Sequence, residues 1–235
     1  MNLDWLGKYV SSNSTNVDNG TFTKSYGGFS LPVLWAFLER KKIMRAHQRY
    51  SRERDVTARL YDAGINTHRI LDSDDKTLTL IVESVPLTDF PELFEDRSVA
   101  LDDKLGLFYT ALKTLKAIHD AGESHGDAYL KNFFKDERTT RREEVYTCDF
   151  ELERKSPDPQ ITDLLMLTAN AASSLGRNNP SAEGAVLDAV QEVNGTVHAY
   201  PLDLRDQAFY RLRFQMGEAF FGYFSKTRTI SLPHQ

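Results

Sequence analysis

The spacing of hydrophobic positions changes character along the chain, from strand-like alternation to helical stripes. Thr21-Phe22-Thr23-Lys24-Ser25-Tyr26 alternates polar and aromatic residues, the pattern of a half-buried strand, and Asn19-Gly20 just before it is a two-residue hairpin signal. Ahead of that turn, Trp5 to Val10 reads as a strand and Ser11 to Asn16 as a loop. Gly27-Gly28 ends the alternation. Ser30 then stands as an N-cap, with Pro32 in the first turn of a helix through Leu34, Phe37 and Leu38. A basic region (Arg40, Lys41, Lys42, Arg45) leads into a second helical stretch from about Tyr50 to Ala63, closed by Gly64. Arg69-Ile70-Leu71, a turn at Asp72 to Lys76 and the run Thr77 to Val85 form a predicted hairpin.

Beyond Pro86 the period lengthens. Pro86 to Asp103 reads as a loop-rich crossover, followed by an amphipathic helix from Leu105 to Ala121 with Leu107, Ala111, Leu112, Leu115 and Ile118 on one side. Phe133-Phe134 and Val145 to Cys148 make a short hairpin around a charged turn, Lys135 to Glu144. Helices are predicted at Thr162 to Leu175, Ala182 to Asn194 and Leu204 to Phe224, and no segment repeats. The expectation is an α+β fold of two halves: residues 1–85, β-rich with a helix, and residues 86–235, mainly helical, with the boundary near Val85-Pro86.

Composition narrows the function classes. A chain of 235 residues, 40% hydrophobic, buries a sizeable core as one domain or as two small lobes sharing a cleft. The net charge of −5 gives no electrostatic case for direct nucleic-acid binding. A single cysteine, Cys148, allows no internal disulfide, so a reducing, cytoplasmic setting is expected. The first thirty residues hold no apolar signal segment and no window reaches the length of a membrane span, so any contact with lipid would be peripheral. The stretch Phe209 to Phe224 mixes aromatics with Arg211 and Arg213, which suits a core helix or one facing a glycolipid at the inner membrane surface.

Candidate chemistry concentrates in Ser124-His125-Gly126-Asp127-Ala128-Tyr129-Leu130-Lys131-Asn132 and Cys148-Asp149-Phe150-Glu151. A lone loop Asp usually caps a turn. An Asp, an Asn five residues on, and a second Asp after a hairpin-length gap together supply what phosphoryl transfer from ATP needs: a carboxylate for the acceptor's proton, and an amide and a carboxylate for magnesium. Asp127 is therefore the candidate base, and Asn132 and Asp149 are the candidate Mg²⁺ ligands, hard oxygen donors of the kind magnesium takes.

The pattern resembles the catalytic loop and metal-binding strand of the protein-kinase superfamily, with Gly126 where most members carry Arg and Glu151 where they carry Gly. The resemblance implies a bilobal protein-kinase-like fold that binds ATP, with Lys24 on its strand gripping phosphate (Lys8 being the next candidate) and Glu53 pairing with that lysine. Around Glu53, the run Arg52 to Ile65 is similar to the lipopolysaccharide (Kdo/heptose) sugar kinases and to the small kinase-like ATPase of the tRNA threonylcarbamoylation complex. Surface salt bridges are the alternative for these arginines. His125 is expected to support the loop by packing, as is His119 near the end of its helix. Asp163 either braces the loop or complements its helix dipole. Glu151 has no assigned role. Only Gly7 and Gly20 stand where kinases carry a phosphate-cradling glycine loop.

About a dozen residues separate Asp149 from Asp163, too few for an extended activation segment or a peptide-docking segment. With Gly126 in place of Arg, this argues against control by loop phosphorylation. The expected acceptor is a hydroxyl of a sugar or glycolipid. The alternatives are an ATPase that switches a protein partner, and a nucleotide-binding scaffold without transfer.

Overall fold

The computed structural model describes residues 13–17, 21–26, 46–137, 145–153, 158–176 and 182–194. Within them the fold is α+β, with two small, separate antiparallel sheets. The expected strand at Trp5 to Val10, the helix through Phe37, the glycines of the phosphate loop, Lys8 and the helix at Leu204 to Phe224 lie outside the described residues.

The first sheet contains β1 (Asn13–Val17), β2 (Thr21–Ser25), β3 (Ile70–Asp74) and β4 (Thr79–Glu83) in the order β1-β2-β4-β3. Lys24 lies opposite Leu80 and Phe22 opposite Val82. The loop expected at Ser11 to Asn16 is instead largely β1, paired with β2 from Asn13↔Ser25 to Val17↔Thr21. Its sequence shows no apolar alternation because an edge strand is held by its backbone ladder, and a polar edge also discourages pairing with other chains. The β3–β4 turn falls later than the sequence suggests, at Asp75 to Leu78, and Leu78 takes a positive φ of 52° there.

Helix α1 (Ala46–Asp62) packs across this sheet and buries Tyr50, Glu53, Val56, Thr57 and Leu60. Tyr50 joins Tyr26, Leu80 and Val82 in a small cluster. Gly64, at φ +78°, closes the helix as expected, and the Ile65 N–H reaches back to the Leu60 carbonyl at 2.9 Å.

The second sheet, β5-β6-β7, combines β5 (Leu87–Asp89) with the hairpin of β6 (Phe133–Asp136) and β7 (Val145–Thr147). Pro86 to Asp103 is more ordered than the expected crossover loop. It carries β5, helix α2 (Phe90–Glu95) and the start of helix α3 (Leu101–Asp120). Pro91 suits the first turn of α2, and the Lys104 ammonium serves that helix's far end, donating to the Phe94 and Asp96 carbonyls at 2.9 and 2.6 Å. Helices α4 (Pro159–Gly176) and α5 (Ala182–Asn194) complete the larger core, in which Phe90, Phe94, Phe108, Leu112, Leu115, Phe133 and Leu167 are buried.

A third cluster joins the two assemblies. Val56 and Leu60 of α1 meet Ile118 of α3 and Phe150, all buried. The Tyr146 hydroxyl donates to the Thr67 carbonyl at 2.7 Å, and the Thr147 N–H to that of Asn66 at 3.0 Å. Phe150 thus anchors the segment carrying Asp149 to both helices. Phe150→Ala is expected to cost about 3–5 kcal/mol of stability, measured by urea denaturation.

Candidate active site

Lys24, Glu53 and Asp149 come from a strand, a helix and a loop far apart in sequence, and they meet at one ammonium. The Lys24 Nζ donates to Glu53 Oε1 at 3.1 Å and to Asp149 Oδ1 at 2.7 Å. It also lies 5.6 Å from the centre of the Tyr26 ring. Burial works against the charge on Lys24, but Asp149 and then Glu53 outweigh it and hold the ammonium's pKa well above the ordinary value. The carboxylates respond unequally. Burial would raise Asp149, yet the closer contact to Lys24 pulls it below the usual range, whereas burial dominates at Glu53 and pushes it up. Asp149 also has φ +73°, a left-handed conformation that Asp tolerates at some cost.

Asp127 and Asn132 face each other across one turn. Leu130–Asn132 form a 3-10 helix, and the Asn132 Nδ2 donates to the Asp127 carbonyl at 2.7 Å and to its Oδ2 at 3.1 Å. With its amide nitrogen committed to Asp127, Asn132 has its amide oxygen left to offer, and both Asn132 and Asp149 line the same cavity.

The catalytic-loop candidate is braced from beneath by Asp163. One carboxylate oxygen accepts the His125 N–H at 2.6 Å and the other the Gly126 N–H at 3.0 Å. His125 is fully buried and packs against Phe133 and Phe150. The Asp127 N–H donates to its Nδ1 at 3.4 Å, so the Nε2 carries the hydrogen toward Thr147 Oγ1 at 3.1 Å. Thr147 Oγ1 in turn donates to the Asn132 carbonyl at 3.2 Å. Burial keeps His125 neutral by lowering its pKa. His119, the other histidine expected to be structural, has its Nε2 3.6 Å from Asp163.

Gly126 has a stereochemical explanation that its sequence position hides. Its φ is +81°, and a Cβ there would stand 2.0 Å from the Leu152 carbonyl oxygen. No side chain fits.

A cavity of about 420 Å³ runs from this cluster into the space between the sheets. Its lining combines the polar Lys24, Glu53, Asn132 and Asp149 with the apolar Leu80, Val82, Val85, Leu87 and Phe134. Its volume and lining are those of a small-molecule site. His68 also lines it, held by the Glu83 carbonyl at 3.2 Å from Nδ1 and by the Tyr146 ring at 5.1 Å. Burial pushes His68 down to about 4, so the ring is neutral and its Nδ1 is the donor.

Four further residues belong to the cluster but were not singled out by sequence. The Lys131 Nζ lies 3.2 Å from Asp127 Oδ2 on a half-exposed side chain. Arg49 pairs with Glu151 at 3.2 Å, and Arg52 reaches the Leu152 and Ser124 carbonyls at 2.9 and 2.8 Å. His68 is the fourth. Arg49 lies one helical turn from Glu53, and i,i+4 spacing is the signal that could have found it; Lys131 is brought to Asp127 by the loop and its short 3-10 turn, which sequence spacing does not mark. Glu151 is buried, and that burial, with Asp149 nearby, pushes its carboxyl up to about 7.

The donor set fits magnesium. Asp149 and Asn132 offer two hard oxygens, and Mg²⁺ commonly takes its remaining ligands from phosphate and water. Among the described residues no cluster of three or more His, Cys, Asp or Glu forms an all-protein metal site, which this mode of binding does not require.

No protein-family model matches the sequence, and no curated protein matches it. Among solved structures, the chain is similar to a choline/ethanolamine kinase family protein from Mesorhizobium loti at 15% identity, over 89% of this chain and 87% of that chain, with a TM-score of 0.46. A likeness that distant carries no weight for the activity.

Two predictions follow from the geometry of the site. Gly126→Ala is expected to destabilise the protein by more than the roughly 1–2 kcal/mol of a left-handed φ, because Leu152 must also move; urea denaturation reads this. His68 falls from the usual 6.5 to about 4 on folding. Between those values the unfolded chain binds a proton that the folded chain refuses, so stability declines as pH falls from 6.5 to 4. Replacing His68 by Gln is expected to flatten that decline by at most about 1.4 kcal/mol per pH unit, measured by denaturation across the range.

Proposed function

We propose that the protein is an ATP- and Mg²⁺-dependent phosphotransferase of bilobal, protein-kinase-like architecture, with residues 1–85 as nucleotide lobe and 86–235 as catalytic lobe. The observation that carries this reading is the joining of Lys24 to both Glu53 and Asp149 in a 420 Å³ cavity that Asn132 also lines, with Asp127 buried behind Asn132 and bonded to its amide.

Each side chain has a defined task in this reading. Lys24, held by Glu53, presents its ammonium to nucleotide phosphate oxygens. Asn132 and Asp149 hold Mg²⁺ through the amide and carboxylate oxygens. Bound there, magnesium neutralises the charge that develops on the phosphates. The apolar side chains of the cavity lining take the base. Asp127 orients the acceptor hydroxyl and receives its proton as the acceptor oxygen bonds to the γ-phosphorus and the bond to ADP breaks. Lys131, beside Asp127, adds positive charge where the transferring phosphoryl group would pass. His125 and Asp163 hold the loop's backbone and stay out of the chemistry.

The acceptor we infer is a small molecule, a hydroxyl of a sugar or glycolipid. Helix α4 starts at Pro159, soon after Asp149, which leaves little chain for a peptide-docking segment. No helix among the described residues is long and apolar enough to cross a membrane. A cytoplasmic protein meeting a glycolipid acceptor peripherally, at the inner face of the membrane, is part of this proposal.

The test is transfer of label from γ-labelled ATP with Mg²⁺, followed into sugar and extracted glycolipid fractions, protein and free phosphate. Label in the sugar or glycolipid fraction is expected, with a drop of at least about 10²-fold for Asp127→Asn and nucleotide binding retained. Label in free phosphate alone, rising with a protein partner, would replace this reading by a partner-dependent ATPase. No Mg²⁺-dependent nucleotide binding would leave a scaffold.

A further inference from the structure

Arg52, the residue before Glu53 on α1, bridges both halves of the site through backbone carbonyls. Its Nε donates to the Leu152 carbonyl at 2.9 Å and its Nη2 to the Ser124 carbonyl at 2.8 Å, with Ser124 Oγ at 3.5 Å. Leu152 lies three residues after Asp149, and Ser124 three before Asp127. One guanidinium therefore fixes the chain that carries Asp149 and the chain that carries Asp127, from the helix that carries Glu53.

The surroundings show why the bridge is built this way. The Leu152 carbonyl occupies the space that a side chain on Gly126 would need, so the two loops are packed backbone to backbone. Asp149, three residues before Leu152, takes φ +73°, a left-handed conformation that Asp holds at some cost. Arg49 adds a parallel tie one turn earlier, to Glu151 at 3.2 Å, and Arg59 a third, to Glu123 at 2.6 Å. Those two are ion pairs. Arg52 differs because its acceptors carry no net charge and stand at two fixed points, a span that suits a planar fork of donors and not the single point of an ammonium.

We propose that Arg52 is the positioning residue that locks α1, the Asp127 loop and the Asp149 segment into one arrangement, so the fold itself holds the site assembled without modification of the chain between Asp149 and Asp163. Withdrawal of the guanidinium, by substitution or by a ligand that competes for it, disassembles the site while the cores remain. The catalytic consequence rests on the phosphotransferase reading; the structural one does not.

The experiment compares wild type with Arg52→Ala, Arg52→Lys and, as a control, Arg54→Ala, whose side chain pairs with Asp55 and Asp75 on the surface. Amide hydrogen exchange is read at residues 124–128 and 149–153 and in helices α3 and α4. Asp127-dependent turnover of ATP is read alongside, with and without ethylguanidinium. The lock predicts faster exchange in both loop segments of Arg52→Ala and Arg52→Lys, with α3 and α4 unchanged. It also predicts turnover reduced on the order of 100-fold, with ethylguanidinium restoring part of it in Arg52→Ala only. Arg54→Ala should match wild type in every reading. Unchanged loop exchange, or faster exchange spread evenly over the whole protein, would overturn the lock. Absence of Asp127-dependent turnover in wild type would overturn the phosphotransferase reading instead, and the exchange comparison would still decide the lock.

Discussion

One buried ammonium sets the terms for the rest of the site. Lys24 shares its charge between two carboxylates from elements 29 and 125 positions away in sequence, so β2, α1 and the segment after β7 must converge wherever it sits. Burying such groups costs several kcal/mol per ion, which only close pairing offsets. The pairing is incomplete by charge, with two carboxylates on one cation. The structure resolves the imbalance unevenly, by lowering Asp149 and raising Glu53. Glu151 nearby is pushed up to about 7 by its burial first and by Asp149 second. Two carboxylates on one cation favour a further cation, which is the electrostatic argument for the magnesium proposed at Asp149 and Asn132.

The neutral parts of the fold serve that cluster. His125, kept uncharged by burial, passes a chain of hydrogen bonds from the Asp127 N–H through Thr147 to the Asn132 carbonyl, and Asp163 takes the loop's two backbone N–H groups. Phe150 and Ile118 seat the same loops against α1. These hydrogen bonds hold the Asp127 loop and the Asn132 backbone in place, the rigidity that the proposed phosphoryl transfer asks of a protein contributing mainly position and charge.

What the sequence made legible follows from how local the signal is. Asp127 and Asn132 share one turn and Asp149 ends the next hairpin, so their spacing alone suggested a cluster. The stripe of α3 is readable because a helix repeats its buried face, whereas Glu53 is singled out only by the family resemblance around it. β1 escapes sequence reading because its polar residues carry no alternation, and α2 because it spans six residues among loop-forming neighbours. Gly126 was noticed for the arginine it lacks, whereas its φ and the Leu152 carbonyl give the physical reason. Arg52 looked like a surface charge because its acceptors are backbone carbonyls, which no residue type marks.

The most direct measurement is calorimetric binding of a non-hydrolysable ATP analogue, with and without Mg²⁺, to wild type and to Asp149→Asn. Binding that magnesium strengthens in wild type, and no longer strengthens in Asp149→Asn, is the predicted result. A wild type that binds no nucleotide, or binds it indifferently to magnesium, would contradict the assignment of Lys24, Asn132 and Asp149 as a nucleotide and metal site.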